Sequence, residues 1–307
     1  MADHDPGYKR LFAHREMVAD LLAGFIHEPW VKEVELDTLE RVSGSYVSDD
    51  FREREDDIIW RVRWRGRWLY VYLLLEFQSS VDRFMAIRIL VYVGLLYQDL
   101  IRAKQLTPDG LLPPVVPVVL YNGEQNWTAA LDVSELIESA PGGLEHYRPH
   151  IRYLLLEERR YQETELVAMR NLVAALFRLE NSRAPEDIAN VVAALSEWLK
   201  APDQADLRRA FVGWLRQVLL PRRIPGAEIP EIENLQEVRT MLAERVQEWT
   251  KQWKQEGEAG LLMRQLERKF GPLDAAVRTR LERADSERLL EWAERVLTAE
   301  RLEDVFQ

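Results

Sequence analysis

Two runs rich in β-branched and aromatic residues, hinged on Arg65-Gly66, constrain this chain more than any other feature. Within FREREDDIIWRVRWRGRWLYVYLLLEFQSS (51–80), Val, Ile, Trp and Tyr crowd either side of a lone Gly. That pattern predicts two strands joined by a tight turn. Asp56 and Asp57 open the first strand, and Glu76 and Gln78 lie two apart near the end of the second. Residues two apart on a strand project from the same face. An Asp at one strand's start, opposite a Glu-x-Gln at its partner's end, can hold a divalent cation.

The rest of the chain narrows the chemistry. With 307 residues and 47% hydrophobic content, two or three units with a sizeable core are expected. No Cys is present, which excludes disulfides, thiolate metal sites and Cys nucleophiles. His4, His14, His27, His146 and His150 lack zinc-ligand spacing, and the Ser and His residues lack nucleophile-elbow spacing. The start MADHDPGYKRLF lacks the basic, apolar pattern of a signal peptide, and no apolar run is long enough to span a bilayer. A cytoplasmic protein that does not enter membranes is expected. A net charge of −11 argues against coating nucleic acid through bulk charge, while leaving room for a local basic strip.

In chain order, apolar residues at three- and four-residue intervals predict a helix over 4–29, and a weak strand and loop follow over 31–50. After the strand pair, the periodicity from Met85 to Leu100 predicts a buried helix within 81–104, with Asp82 at its start. PPVVPVVLYNG (113–123) reads as a buried strand ending in an Asn-Gly turn, and residues 151–156 as another strand. Helices are expected over 162–180, 185–200 and 204–220, and a Pro-rich linker over 221–233. An amphipathic helix is expected over 234–256, ended or kinked by Gly257, with a small helical bundle after it. The expected units are therefore 1–157, 158–233 and 234–307.

Hard cations such as Mg²⁺ take carboxylate oxygens, carbonyls and water, so Asp57 and Glu76 on adjacent strands suit one. A cation held there would polarise a phosphoryl oxygen and acidify a bound water, both of which phosphodiester hydrolysis needs. Gln78 does not titrate, but its amide can orient a water. Two carboxylates also suit a glycosidase, although no other feature of the sequence indicates a sugar site.

Several ordered motifs carry a resemblance. REDDII (54–59), EFQS (76–79), RFMAIRILVY (83–92), PVVLYNG (117–123) with Trp127 behind it, and the opening HDPGYKRLF (4–12) are spread over about 125 residues. Together they resemble the recombination-promoting nuclease (Rpn) or YhgA-like transposase family, of the PD-(D/E)XK nuclease superfamily. GEAGLLMRQLERKFGPL, opening the last fifty residues, resembles a small helical domain of unknown function found at the ends of such proteins.

The resemblance implies an α/β fold: a restriction-endonuclease-like core of mixed sheet flanked by helices, followed by an all-α C-terminal region. It implies Mg²⁺- or Mn²⁺-dependent DNA cleavage, with Asp57 and Glu76 as metal ligands and Asp5 as an additional acidic ligand. Gln78 stands where the superfamily has a catalytic Lys, a substitution the family shares. Phe77 stands where the family often has His.

Plainer readings sit beside these. Asp57 can cap a strand entrance, and Glu76 can pair with Arg88 on the following helix. Arg61, Arg63, Arg65 and Arg67 alternate along the hairpin; Arg61, Arg63 and Arg65 can contact phosphates, as can Lys9, or the arginines can simply solvate an edge. Trp60, Trp64 and Trp68 fit a strand core better than base stacking. The expected activity is DNA endonuclease, with a weak or inactive nuclease-fold interaction module as the competing class. Homodimerisation through the C-terminal helices is a further expectation.

Overall fold

The computed structural model describes residues 5–42, 58–76, 80–123, 125–139, 142–182, 184–223 and 232–306, except 275–276, 279, 282–283, 297–298 and 300. The chain is a mixed α/β protein that divides into two compact units, Met1–Val238 and Arg239–Gln307. The first unit takes in both the core expected over 1–157 and the helical region expected to follow it.

A five-stranded sheet organises the first unit, in the spatial order β1-β2-β3-β4-β5. These are Val34–Arg41, Ile58–Trp64, Arg67–Glu76, Val115–Tyr121 and Leu154–Glu157. The pairs β1–β2 and β2–β3 are antiparallel, whereas β3, β4 and β5 are mutually parallel.

The expected hairpin forms with a two-residue loop, because Arg65 (φ 49°) and Gly66 (φ 73°) both adopt the left-handed conformation. Such a loop matches the natural twist of paired strands. Arg65 is an unusual tenant there, and β1 steadies it. Glu33 accepts from the Arg65 guanidinium at 2.6 Å, and Glu35 accepts from the Gly66 N–H at 3.1 Å. Between Glu35 and Glu40, β1 bulges out of register with β2. The Thr38 hydroxyl accepts from the Arg63 N–H at 3.0 Å, replacing the ladder bond the bulge removes.

Strand alternation assigns the faces. Ile58, Trp60 and Val62 are buried, while Arg61 and Arg63 point the other way. Two helices, α1 (Asp5–Phe12) and α2 (Arg15–Phe25), replace the single helix expected over 4–29. The break falls at His14, whose extended backbone precedes the first turn of α2. Trp60 donates its indole N–H to the Phe12 carbonyl at 3.0 Å, satisfying an acceptor left open at the end of α1. Across the sheet, α3 (Met85–Arg102) packs Met85, Ile89, Val93 and Leu96 against Val119, Tyr121 and Tyr153. Asp82 accepts from the Phe84 N–H at 2.8 Å just before α3, and pairs with Arg88 at 3.2 Å.

The helical region belongs to this same core. Helices α4 (Glu163–Val167) and α5 (Leu172–Asn181) replace one expected helix. Asn171 breaks the run and caps α5, accepting from the Val173 and Ala174 N–H groups. The Asp20 carboxylate of α2 accepts the Leu172 N–H at 2.6 Å, and the Asn171 amide donates to the Asp20 carbonyl at 2.8 Å. Helix α6 spans Pro185–Trp198. Helix α7 (Ala205–Trp214) runs through a π-helical segment, Leu215–Leu219, into α8 (Leu220–Arg223). Tyr8 of α1 meets Trp214 edge-on at 5.6 Å. A Cβ on Gly7 would lie 2.9 Å from Val218 and 3.0 Å from Trp214, so that helix pair requires a glycine.

Of the linker expected at 221–233, residues 221–223 continue helix α8, and 224–231 lie outside the described residues. The loop expected over 43–50 does too. Helix α9 runs from Leu235 to Phe270, so Gly257 does not end it. Each of its two glycines, Gly257 and Gly260, costs the helix about 1 kcal/mol, which good helix formers on both sides offset. In the second unit, Leu262 and Leu266 of α9 pack with Leu281, Leu289 and Trp292. No described helix is long and apolar enough to cross a membrane.

Candidate functional site

The parallel half of the sheet aligns three residues in one cross-strand row. Glu76, the last residue of β3, pairs in register with Tyr121 of β4, which pairs with Glu157 of β5. Adjacent strands lie about 4.8 Å apart, so the outer two backbones are roughly 10 Å apart. Ile58, covalently next to Asp57, pairs with Leu73, three residues before Glu76. Asp57 and Gln78 themselves lie outside the described residues, and Asp5 and Glu76 are described for backbone only, opening α1 and closing β3.

Around this row the polar groups are buried, and the Tyr121 hydroxyl has no hydrogen-bond partner among the described residues. Glu157 is only 6% exposed, accepts the Trp127 N–H at 3.1 Å and pairs with Arg160 at 2.8 Å. The Trp127 indole donates to the Tyr153 hydroxyl at 3.0 Å, which donates onward to the Ala130 carbonyl at 2.9 Å. Tyr121 packs edge-on against Trp127 at 4.9 Å. Burial raises the Tyr121 phenol pKa, and the neighbouring Glu157 charge raises it further. The Tyr153 phenol is pushed up to about 12, chiefly by burial. Both therefore act as hydroxyls at neutral pH, not as bases.

The Tyr-Asn-Gly motif departs from expectation. Gly123 lacks the positive φ of an Asn-Gly hairpin turn. A Cβ on it would sit 2.0 Å from the Tyr121 hydroxyl oxygen. The glycine lets the backbone pass close to that ring. A small cavity of about 50 Å³ opens here, lined by Tyr121, Gln125, Asn126, Glu157, Arg159 and Arg160 among others.

Glu158 follows Glu157 and is fully buried, and burial raises its carboxyl to about 8, opposed by the more weakly acting Arg222 and Arg159 charges. It is predominantly protonated at neutral pH. Glu180 is likewise raised by burial, despite Arg222 at 3.4 Å.

At the hairpin the predicted arginines are engaged locally. Arg61 binds Glu40 at 2.6 Å with its guanidinium 4.3 Å from the centre of the Trp68 ring. Arg63 stacks on that same ring at 5.0 Å. Arg65 pairs with Glu33, and Arg67 with Asp109 at 3.4 Å. Trp60 is buried and Trp68 packs against the α3 core, as expected of strand-core residues. Lys9 lies half-buried in the last turn of α1. Among the described residues, no three acidic or imidazole side chains converge on a metal-sized site.

Comparison with known proteins fixes the relationship. The sequence profile of the family described as "Putative transposase, YhgA-like" matches residues 2–209. The chain belongs to that family. It is 31% identical over 120 residues to the recombination-promoting nuclease RpnA of Escherichia coli strain K12, covering 39% of this chain and 40% of the relative. It is 29% identical over 123 residues to RpnD of Escherichia coli O157:H7, covering 40% and 46%. A third relative, the inactive recombination-promoting nuclease-like protein RpnE of strain K12, is 29% identical over 140 residues, covering 43% and 46%. The chain thus spans less than half the length of these curated relatives. No solved structure matches it.

The motif reading passed over Glu157, Tyr121 and Trp127 as site neighbours. A signal was present, because Tyr72-Leu-Leu-Leu-Glu76 recurs as Tyr153-Leu-Leu-Leu-Glu157. Both segments are parallel strands ending in a carboxylate on the same row.

Proposed function

We propose that this chain is a metal-dependent DNA endonuclease with a PD-(D/E)XK-type core. One observation carries the reading: a member of the YhgA-like family places its motif Glu76 at the end of a parallel strand, in the row of Tyr121 and Glu157. Asp57 and Glu76 would hold Mg²⁺ or Mn²⁺, with Asp5 as a further ligand. The donor chemistry fits, since the motif and its row offer carboxylate oxygens and the chain has no thiol. When bound, such a cation supplies Lewis acidity and an acidified water.

The protein's own groups do the rest. Gln78 orients the attacking water through its amide, and Glu157, fixed by Trp127 and Arg160, holds the β4–β5 edge of the site in place. Lys9, Arg61, Arg63 and Arg65 are the proposed phosphate contacts. Arg63 is the best placed of these, being exposed and without a carboxylate partner among the described residues. Cytoplasmic location and dimerisation through the C-terminal helices remain parts of this proposal.

The second reading is a nuclease-fold interaction module. It is favoured by the similarity to RpnE, named as inactive, and by the pairing of Arg61, Arg65 and Arg67 with carboxylates. Plasmid nicking with Mg²⁺ or Mn²⁺ separates the two. Nicking by the native chain, lost in Asp57→Ala and Glu76→Ala, supports the endonuclease. Nicking that survives both substitutions removes the proposed site, and no nicking with either metal supports the module.

A further inference from the structure

A second cationic feature lies far along the sequence, within residues 239–307. An open cavity of about 500 Å³ is lined by Arg280, Ala284, Arg288, Glu291, Trp292, Arg295 and Phe306. Among the described lining residues, three guanidiniums accompany one carboxylate. Arg280 is held in place: its guanidinium lies 5.3 Å from the Trp292 ring centre and 4.9 Å from that of Phe306, and it donates to the Phe306 carbonyl at 3.0 Å. The two rings meet edge-on at 4.9 Å, fixing the platform. An arginine oriented this way loses little further side-chain entropy when its remaining N–H groups meet an anion.

Arg288 and Arg295 are seven residues apart on the helix Ser286–Arg295, so they share one side of it, roughly 10 Å apart. Projected on the axis of a duplex, where each strand rises about 3.4 Å per phosphate, that distance is about three steps. Arg288 pairs with Asp285 at 4.0 Å and Arg295 with Glu291 at 3.8 Å. The charge balance also favours this unit: residues 239–307 carry 13 Lys and Arg against 14 Asp and Glu, whereas residues 1–238 carry 28 against 38. The long-range repulsion a polyanion meets thus comes chiefly from the other unit.

We infer that the cavity formed by Arg280, Arg288 and Arg295 is a binding groove for the phosphodiester backbone of nucleic acid. Arg280 contacts one phosphate from its aromatic platform, and Arg288 and Arg295 follow the strand on either side. Contacts of this kind position a nucleic acid without reading its bases. The inference deepens the endonuclease proposal and rests on it only for the choice of nucleic acid as the polyanion.

Fluorescence anisotropy of the full chain with a labelled DNA duplex in EDTA, across a salt titration, tests it without cleavage. Arg288→Ala combined with Arg295→Ala is expected to weaken binding roughly tenfold at low salt and to flatten the salt slope by about two. Arg280→Lys, which keeps the charge but loses the planar stack, is expected to weaken binding with an unchanged thermal transition. No binding by the native chain, or an unchanged affinity and slope in the double variant, overturns the inference. Displacement of DNA by polyglutamate at equal charge concentration would reassign the groove to an acidic polypeptide. Plasmid nicking reports separately. Arginine-dependent binding without nicking sinks the endonuclease reading alone, while nicking with arginine-independent binding sinks the groove alone.

Discussion

The two ends of β3 handle charge in opposite ways. At the hairpin end, Arg65, Arg67, Glu33 and Asp109 form ion pairs in solvent, with Arg67 and Asp109 each 61% exposed. At the other end, Tyr121 and Glu157 are both buried in the row that starts at Glu76. Exposed pairs are screened and contribute little, so sequence there can drift. Burying a carboxylate costs several kcal/mol unless each oxygen is well met. Glu157 is met there by a backbone N–H and an arginine. Of the two ends, the buried one is the place to seek chemistry.

The sharpest way to break this contrast is at the motif carboxylates. Asp57→Ala or Glu76→Ala should lower Mg²⁺-dependent nicking by about a hundredfold or more with little change in the thermal transition. Next comes the close passage beside Tyr121. Gly123→Ala should cost roughly 3 kcal/mol in denaturant unfolding, because the new methyl group collides with a ring that has no room to retreat.

Glu158 makes the contrast depend on pH. Its folded pKa lies near 8, above the ordinary value of 4.5, so the unfolded chain releases that proton first. The contribution of Glu158 to stability is therefore full below about pH 4.5 and is progressively lost as pH rises toward 8. Glu158→Gln should raise stability at pH 8 by about 1–3 kcal/mol relative to its effect at pH 5, measured by urea titration at both values. The smallest effect belongs to the hairpin end. A double-mutant cycle on Arg67 and Asp109 should return a coupling below about 1 kcal/mol that vanishes in high salt.

How far the sequence could be read depended on whether the signal was local. Arg65-Gly66 marks its own turn, and apolar periodicity marks α3, because both are written within a few residues. The breaks at His14 and Asn171 were missed because an apolar stripe continues through them, and Asn171 caps α5 with help from distant Asp20. The Asn122-Gly123 pair suggested a turn, whereas the glycine answers to the ring of Tyr121. The motif acids Asp57 and Glu76 came from ordered resemblance, since spacing among 52 acidic residues singles out no pair. Glu157 repeats the YLLLE segment of Glu76, but the row that gives the repeat its meaning forms only across three strands.

The meeting of Tyr8 with Trp214, and of Asp20 with Leu172, has a consequence for synthesis. Native contacts this distant in sequence are slow to form, because a long loop must close before they contribute. A ribosome adds about 5–20 residues per second, so the opening helix waits roughly 10–40 s for its partner to be made. For that interval the apolar face of α1 lacks its covering helix, and α2 waits a shorter time for α5, a window in which chaperones and proteases compete for the nascent chain.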